Sequence, residues 1–328
     1  MTDLLPLGID VAKLTSHACL VRHSGKLKHR AFPNNPAGFS QLSDWLEKLG
    51  AGPTHACLEA TGTYYEALAP YLHEAGHTVS VVNPASVKDY ARSRLSRTKT
   101  DRVDATLIAG FCAGRKPPAW QPPAPELREL QALVRRLDSL REMRTMEENR
   151  LSAGVTVAAV RTSLEESIAY LAEQIRKTEE LIRSHIDSRP GLRRQRELLD
   201  SIPGVGEATA AAPLAEVPGI KEYRSARQAA AFAGLVPRGR QSGGSIRGRV
   251  RLSKIGNARL RKALYFPAIT ALRCSPFFQQ WAEGLRQRGK SKMAVVGAAM
   301  RKLLHLAYGV LKTGRPFDPE WAQKQKTA

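Results

Sequence analysis

From Tyr223 to Trp281 the chain carries no aspartate and no glutamate, yet it carries twelve lysines and arginines. Such a stretch cannot neutralise itself, so it faces solvent or an anion. The other scarcities exclude classes. There are only four cysteines, Cys19, Cys57, Cys112 and Cys274, all far apart and with no Cys-x-x-Cys pair. A zinc knuckle and a disulfide framework are therefore not supported, and a reducing cytoplasm is expected. No apolar run reads as long enough to cross a membrane, and residues 1–10 lack a signal-peptide pattern. The N-terminal half has no glycine-rich phosphate loop, which argues against a sugar kinase. Tyr64, Tyr65 and Tyr265 lack the Arg-His-Arg surroundings of a tyrosine recombinase. What remains is charge. The 328 residues carry a formal net charge of +21, with a sequence pI near 10.2. Nucleic acid is the expected partner, with an anionic membrane surface as the rival.

The centre of the basic stretch contains Arg238, Arg240, Arg247, Arg249, Arg251 and Lys254, and within it Ser242-Gly243-Gly244-Ser245. Glycines and small polar residues leave backbone N–H groups open to an approaching phosphate. This loop is the leading candidate for a nucleic-acid contact. Composition alone does not decide whether Ser242 reacts.

Read in order, the chain opens with three predicted strands, Leu4–Val11, Thr15–Arg22 and Lys26–Phe32, with Ser24-Gly25 as a hairpin turn. A helix follows from Pro36 to about Leu49. A strand over 55–60 carries Glu59, a helix is predicted over 63–75, and a Val-rich strand over 77–83. Short helices are expected from Pro84 to Ser93 and over 100–114, the latter capped by Thr100 or Asp101. Strands in hairpins followed by alternating strand and helix predict a mixed α/β sheet flanked by helices.

Residues 116–125 hold five prolines and read as a stiff linker between domains. Beyond it Leu127, Leu130, Val134, Leu137 and Leu140 recur at coiled-coil spacing. Leu164, Ile168, Leu171, Ile175 and Ile182 do the same after a break. Two long charged helices with narrow apolar seams suggest a helical arm, an antiparallel hairpin or coiled-coil element. Next, Ile202-Pro203-Gly204-Val205-Gly206 before an Ala-rich helix has the pattern of a helix-hairpin-helix, with Gly204 and Gly206 available to a phosphate. A helix kinked at Pro267 is predicted over 257–273, and another over 293–311. The divisions expected are 1–120, 121–190, 191–316 and a disordered tail over 317–328.

Acids are sparse but well placed in the first segment. Asp10 ends the first strand and Glu59 the fourth, while Asp101 and Asp104 lie three apart on one helix face. Strand-end acids with a helical pair match the arrangement of ribonuclease-H-like nucleases, in which carboxylates converge on Mg²⁺ or Mn²⁺.

At this point the residues match a known pattern. Gly8-Ile9-Asp10-Val11-Ala12-Lys13, Leu58-Glu59-Ala60-Thr61-Gly62-Thr63-Tyr64, Val82-Asn83-Pro84 and Thr100-Asp101-Arg102-Val103-Asp104 resemble the transposases of the insertion-sequence "one-ten" family. So do Ile202-Pro203-Gly204-Val205-Gly206, Phe232-Ala233-Gly234-Leu235-Val236-Pro237-Arg238, Gln241-Ser242-Gly243 and Lys254-Ile255-Gly256-Asn257. The resemblance runs from Leu7 to about Pro316. It implies a RuvC-like first domain in which Asp10, Glu59, Asp101 and Asp104 hold Mg²⁺ or Mn²⁺, and a nucleophilic Ser242 that forms a covalent link to DNA. It also implies donor and target DNA as partners, a structured guide RNA in at least some members, and a homo-oligomer, dimer or tetramer. In that assembly the carboxylates of one protomer meet the serine loop of another. A place at the bacterial nucleoid in the cytoplasm, without membrane, would follow. Two other readings remain open: a metal-dependent, junction-resolving nuclease that uses water, and a non-catalytic nucleic-acid binder.

Overall fold

The computed structural model describes residues 4–60, 62–95, 98, 100–217, 219–239, 241–242, 246–247 and 250–320, with residues 208, 221, 241, 242, 246 and 247 as backbone alone. The chain divides into two compact units, residues 1–122 and 123–328.

The first unit is built on a five-stranded sheet. Its strands are β1 (Leu5–Val11), β2 (Thr15–Val21), β3 (Leu27–Pro33), β4 (Thr54–Glu59) and β5 (Thr78–Val82), in the order β3-β2-β1-β4-β5. The two hairpin pairs are antiparallel, whereas β1–β4 and β4–β5 are parallel. The helices are α1 (Pro36–Lys48), α2 (Leu68–Glu74), α3 (Pro84–Ser93) and α4 (Asp101–Arg115). Strand alternation sorts the side chains between two faces. Leu7, Ile9, Leu20, Ala56 and Leu58 share one core with Leu42 and Trp45 of α1 and Leu68 and Leu72 of α2. On the other face Cys19 meets Ala105 and Ala109 of α4, and Cys57 meets Ile108 and Cys112.

Gly8 permits that second layer. A Cβ built there would lie 2.2 Å from the Ala109 nitrogen and 2.4 Å from the Ala105 carbonyl oxygen. Helix α4 therefore rests directly on the backbone of β1, a distance only glycine allows.

The helix predicted over 63–75 is helical only from Leu68, because residues 62–67 form turns. Gly62 has φ +60°, and Asn34 donates its side-chain amide to the carbonyls of Tyr64 and Ala12. A Thr-Tyr-Tyr run also loses rotamer freedom in a helix. The proline-rich segment is docked against the sheet. The Trp120 amide donates to the Val79 carbonyl, and the Ser80 hydroxyl donates to the carbonyls of Pro117 and Pro118. It thus covers the open edge of β5.

The second unit is mainly helical. Helices α5 (Pro125–Ser152) and α6 (Ala158–Asp187) form a hairpin. It runs antiparallel, since His185 lies 2.7 Å from the Glu126 carbonyl and Arg141 bonds Glu179 at 2.7 Å. Its buried residues, among them Leu130, Leu140, Ile175 and Ile186, all lie at the base. None of residues 141–174 is buried. Then come α7 (Pro190–Asp200), α8 (Glu207–Glu216), a 3-10 turn (Ile220–Glu222) and α9 (Ala226–Phe232). Four two-residue strands follow: β6 (Pro237–Arg238), β7 (Gln241–Ser242), β8 (Ile246–Arg247) and β9 (Arg251–Leu252). The chain closes with α10 (Ala258–Ala263), α11 (Tyr265–Cys274), α12 (Pro276–Gln287) and α13 (Lys292–Thr313).

The predicted kink at Pro267 is a break between α10 and α11. A proline ring clashes with the carbonyl four residues back, here Ala263, where α10 stops. Helix α13 corrects the expectation that no run suits a membrane. By length and composition alone its 22 residues are long and apolar enough to cross one. Ten of its residues, including Leu303, Leu304 and Val310, are nevertheless buried, and eight of them, from Ala299 to Leu311, lie in the core of this unit. The expected tail lies partly outside the described residues.

Gly8→Ala should force α4 off β1 and lower stability by about 1–3 kcal/mol. Urea unfolding of the variant against the parent measures this, and an unchanged midpoint would refute the contact.

Candidate active site

The β1–β4 register pairs Ile9 with Leu58, so Asp10 and Glu59 follow side by side at the carboxyl ends of two parallel strands. By alternation they lie on the face that carries Gly8 and Cys57, beneath α4. Across β1 in the other direction, Asp10 is registered with His17 of β2. Helix α4 starts where Thr100 accepts a hydrogen bond from the Val103 amide, which places Asp101 and Asp104 in its first turn. Acids there are favoured by the helix dipole.

The four acids share one field. The pKa of Asp10 is pushed up from 3.8 to about 6, first by burial and then by the negative charges of Asp104, Asp101 and Glu59; His17 pulls the other way. His17 lies 3.3 Å from Asp101 through its Nε2 atom. Among the described residues no group of three or more His, Cys, Asp or Glu is spaced to hold a metal ion as the side chains stand. Glu59 and Asp104 also have interactions of their own. The cluster is thus an accumulation of negative charge without a formed cage. That accumulation fits a divalent cation, which would relieve the repulsion raising the Asp10 pKa.

The sequence reading missed His17. Its signal was present in the alternation of β2, which puts His17 and Cys19 on one face, but reading it required the β1–β2 register.

The second candidate region is the basic ribbon. Pro237 pairs with Leu252 and Arg238 with Arg251, while Gln241 pairs with Arg247 and Ser242 with Ile246. The ribbon folds the chain back so that Arg238 and Arg251, both exposed, face each other across two strands. Like charges in register destabilise a strand pair, and an anion between them reverses the sign. Lys254 is exposed at the foot of the ribbon, in a left-handed conformation with φ +56°. Arg240 and Arg249 lie outside the described residues, as does Ser245; Ser242 and Arg247 are placed by backbone pairing alone.

The foot of the ribbon is tied down. The amides of Ser253, Lys254 and Asn257 donate to the carbonyls of Val236, Gly234 and Phe232. Asn257 caps α10 and donates to Glu216, whose buried carboxylate also accepts from Arg135 of α5 at 3.3 Å. Gly204 has φ +88° and packs against α11, where a Cβ would come 2.5 Å from the Pro267 carbonyl oxygen. Its need for glycine therefore has a packing cause. Gly206 is exposed just before α8, whose first turn holds Glu207 paired with Arg196 at 2.8 Å.

An acid cluster on a mixed sheet, with a cationic ribbon elsewhere in a strongly basic chain, defines a protein that works on nucleic acid. Comparison with known proteins specifies which kind. Residues 7–158 match the DEDD-type IS110 model described as "Transposase", and residues 196–282 match the model "Transposase IS116/IS110/IS902 family". The pilin gene-inverting protein of Moraxella bovis is 35% identical over 315 residues, covering 95% of this chain and 97% of that protein. Its Moraxella lacunata counterpart is equally similar, and the transposase for insertion sequence element IS1328 of Yersinia enterocolitica is 25% identical over 97% of this chain. The chain belongs to the IS110 family of insertion-sequence transposases, enzymes of DNA recombination.

Because the folded Asp10 holds its proton to about pH 6, against 3.8 ordinarily, the native state binds more protons than the unfolded chain between those values. Its contribution to stability therefore falls as pH rises through that window and stays low above it. Asp10→Asn removes this cost. In metal-free buffer the variant should melt higher than the parent at pH 7.5 and equally at pH 4. A lower melting point at pH 7.5 would contradict the shared field.

Proposed function

We propose that the chain cuts and rejoins DNA as a site-specific recombinase, with its first unit folded as a RuvC-like domain. Asp10, Glu59, Asp101 and Asp104 would hold Mg²⁺ or Mn²⁺. Bound there, the ion would neutralise charge on the scissile phosphate and favour the ionised serine. Ser242 is the nucleophile. Its hydroxyl oxygen bonds to phosphorus as the bond from phosphorus to a deoxyribose oxygen breaks; its proton passes to solvent, and solvent returns one to the departing sugar oxygen, which leaves as a strand hydroxyl. The energy of the phosphodiester is kept in the serine link, so a strand hydroxyl can reverse the step and rejoin without a further energy source. Arg238, Arg240, Arg247, Arg249, Arg251 and Lys254 hold the phosphates around it. Gly204 and Gly206 offer a further backbone contact to DNA or RNA.

The observation that carries this reading is the gathering of acids from β4 and α4 at the end of β1, where burial first, and then the charges of Asp104, Asp101 and Glu59, raise the Asp10 pKa. The names of the Moraxella relatives support rejoining as well as cutting, because inverting a gene requires both. A structured guide RNA, donor and target DNA, and a place at the bacterial nucleoid in the cytoplasm complete the proposal. The active form is a homo-oligomer, dimer or tetramer. The α5–α6 hairpin supports it, since within residues 141–174 the seam residues Leu164, Ile168 and Leu171 are only half-buried, and Met146, Val157, Val160 and Tyr170 outside the seam are exposed. A coiled-coil contact between protomers would cover that seam.

Two experiments test these points. Incubated with element-end DNA and Mg²⁺, the parent should yield a denaturant-resistant protein–DNA adduct. Ser242→Ala should yield none, Ser245→Ala should yield nearly the parent amount, and Asp104→Ala should lose cleavage while retaining DNA binding. An adduct formed by Ser242→Ala would remove the serine and favour the water-using nuclease. Separately, light scattering should report a dimer or larger species; a monomer with and without nucleic acid would refute the hairpin contact.

A further inference from the structure

We propose that His17 is a positioning residue for the acidic cluster: from β2 it holds the Asp101 carboxylate toward the end of β1, so that an incoming cation meets an assembled set. The inference rests on the metal reading above and extends it to a residue outside the four acids.

Three observations carry it. His17 is registered directly opposite Asp10, so its place relative to β1 is fixed by strand pairing on one side and by β3, through Ala31, on the other. Its Nε2 atom lies 3.3 Å from an Asp101 carboxylate oxygen, the imidazole being 30% exposed and the carboxylate 63%. Asp101 itself opens α4, where an exposed carboxylate samples several rotamers unless something restrains it. Helix α4 sets where the Asp101 backbone lies, and His17 sets where its carboxylate points. The direction of the charges agrees, since His17 opposes the three acids that act on Asp10.

A purely stabilising role is a poor alternative. An ion pair this exposed contributes too little to matter for folding. Orientation of a ligating carboxylate is a different matter, because partners of metal ligands commonly change metal affinity by about 10–100-fold when removed.

The test uses the full chain and Mn²⁺ as the probe. His17→Ala should weaken Mn²⁺ binding in calorimetry by about 10-fold. The Mn²⁺ concentration giving half-maximal cleavage should rise by a similar factor, with the rate at saturating Mn²⁺ largely kept. Melting should stay within about 2 °C of the parent in metal-free buffer. His17→Gln, whose amide N–H can reach the same carboxylate, should recover most of the affinity. If His17→Ala binds Mn²⁺ as the parent does, or His17→Gln is no better than His17→Ala, the positioning role is wrong. If the parent binds no Mn²⁺, or Asp10→Asn binds it equally well, the metal reading fails as well, an outcome distinct from the first.

Discussion

The constraint on which the first unit depends is the contact between α4 and β1 at Gly8. Strand register sets Asp10 beside Glu59 and His17; how near that helix lies decides what Asp101 and Asp104 add to them. With Ala105 and Ala109 against bare backbone, the first turn of α4 falls over the ends of β1 and β4. The small residues of α4 and the glycine of β1 are one feature, legible only in combination. A larger residue at either place would move Asp101 and Asp104 outward and weaken the field that lifts the Asp10 pKa.

Both candidate sites concentrate charge of one sign. Near Asp10 it is negative and partly buried; on the ribbon it is positive and exposed. Each arrangement is unfavourable alone, for Asp10 by desolvation and repulsion, for Arg238 and Arg251 by facing in register. On the function proposed here, charges placed against their own stability serve a partner of opposite sign: a cation for the first, a phosphodiester for the second. Surface ion pairs elsewhere in the chain do the reverse. On α6, Arg176 pairs with both Glu173 and Glu180, and that face asks for nothing.

Much of the first unit was legible in the sequence. Period-two apolar strands, Pro36 and Pro84 at helix starts and Thr100 as a cap lie where local chemistry puts them. The order of strands and the four acids came from the same pattern. The sheet register did not, since pairing is a long-range property, and with it His17 was lost. Turns at 62–67 replaced a helix because Asn34, distant in sequence, captures the Tyr64 carbonyl. In the second unit, helix α9 and the short strands escaped notice because they are short and their boundaries are set by tertiary bonds, whereas α12 was passed over although Ser275, Pro276 and the spacing of Phe278, Trp281, Ala282 and Leu285 signal a helix. Helix α13 exceeds its expected span only by Lys292, Lys312 and Thr313, polar end residues that an apolar pattern does not mark.

The foot of the ribbon shows how a buried charge can specify position without adding stability. Glu216 is only 2% exposed, and such a carboxylate is costly to bury unless its partners are well placed. Its partners are Arg135, from the base of the α5–α6 hairpin, and Asn257, the cap of α10. An apolar residue there could pack as well, but it would leave α10 free to choose its start. With the carboxylate in place, the cap, and hence the strand that returns from the ribbon, is referred to the hairpin. Gly256 strengthens the link, for its φ of +138° lets the backbone pass within reach of the Phe232 carbonyl. The foot of the ribbon that bears Ser242 is therefore registered, through Asn257, Glu216 and Arg135, against the base of the α5–α6 hairpin.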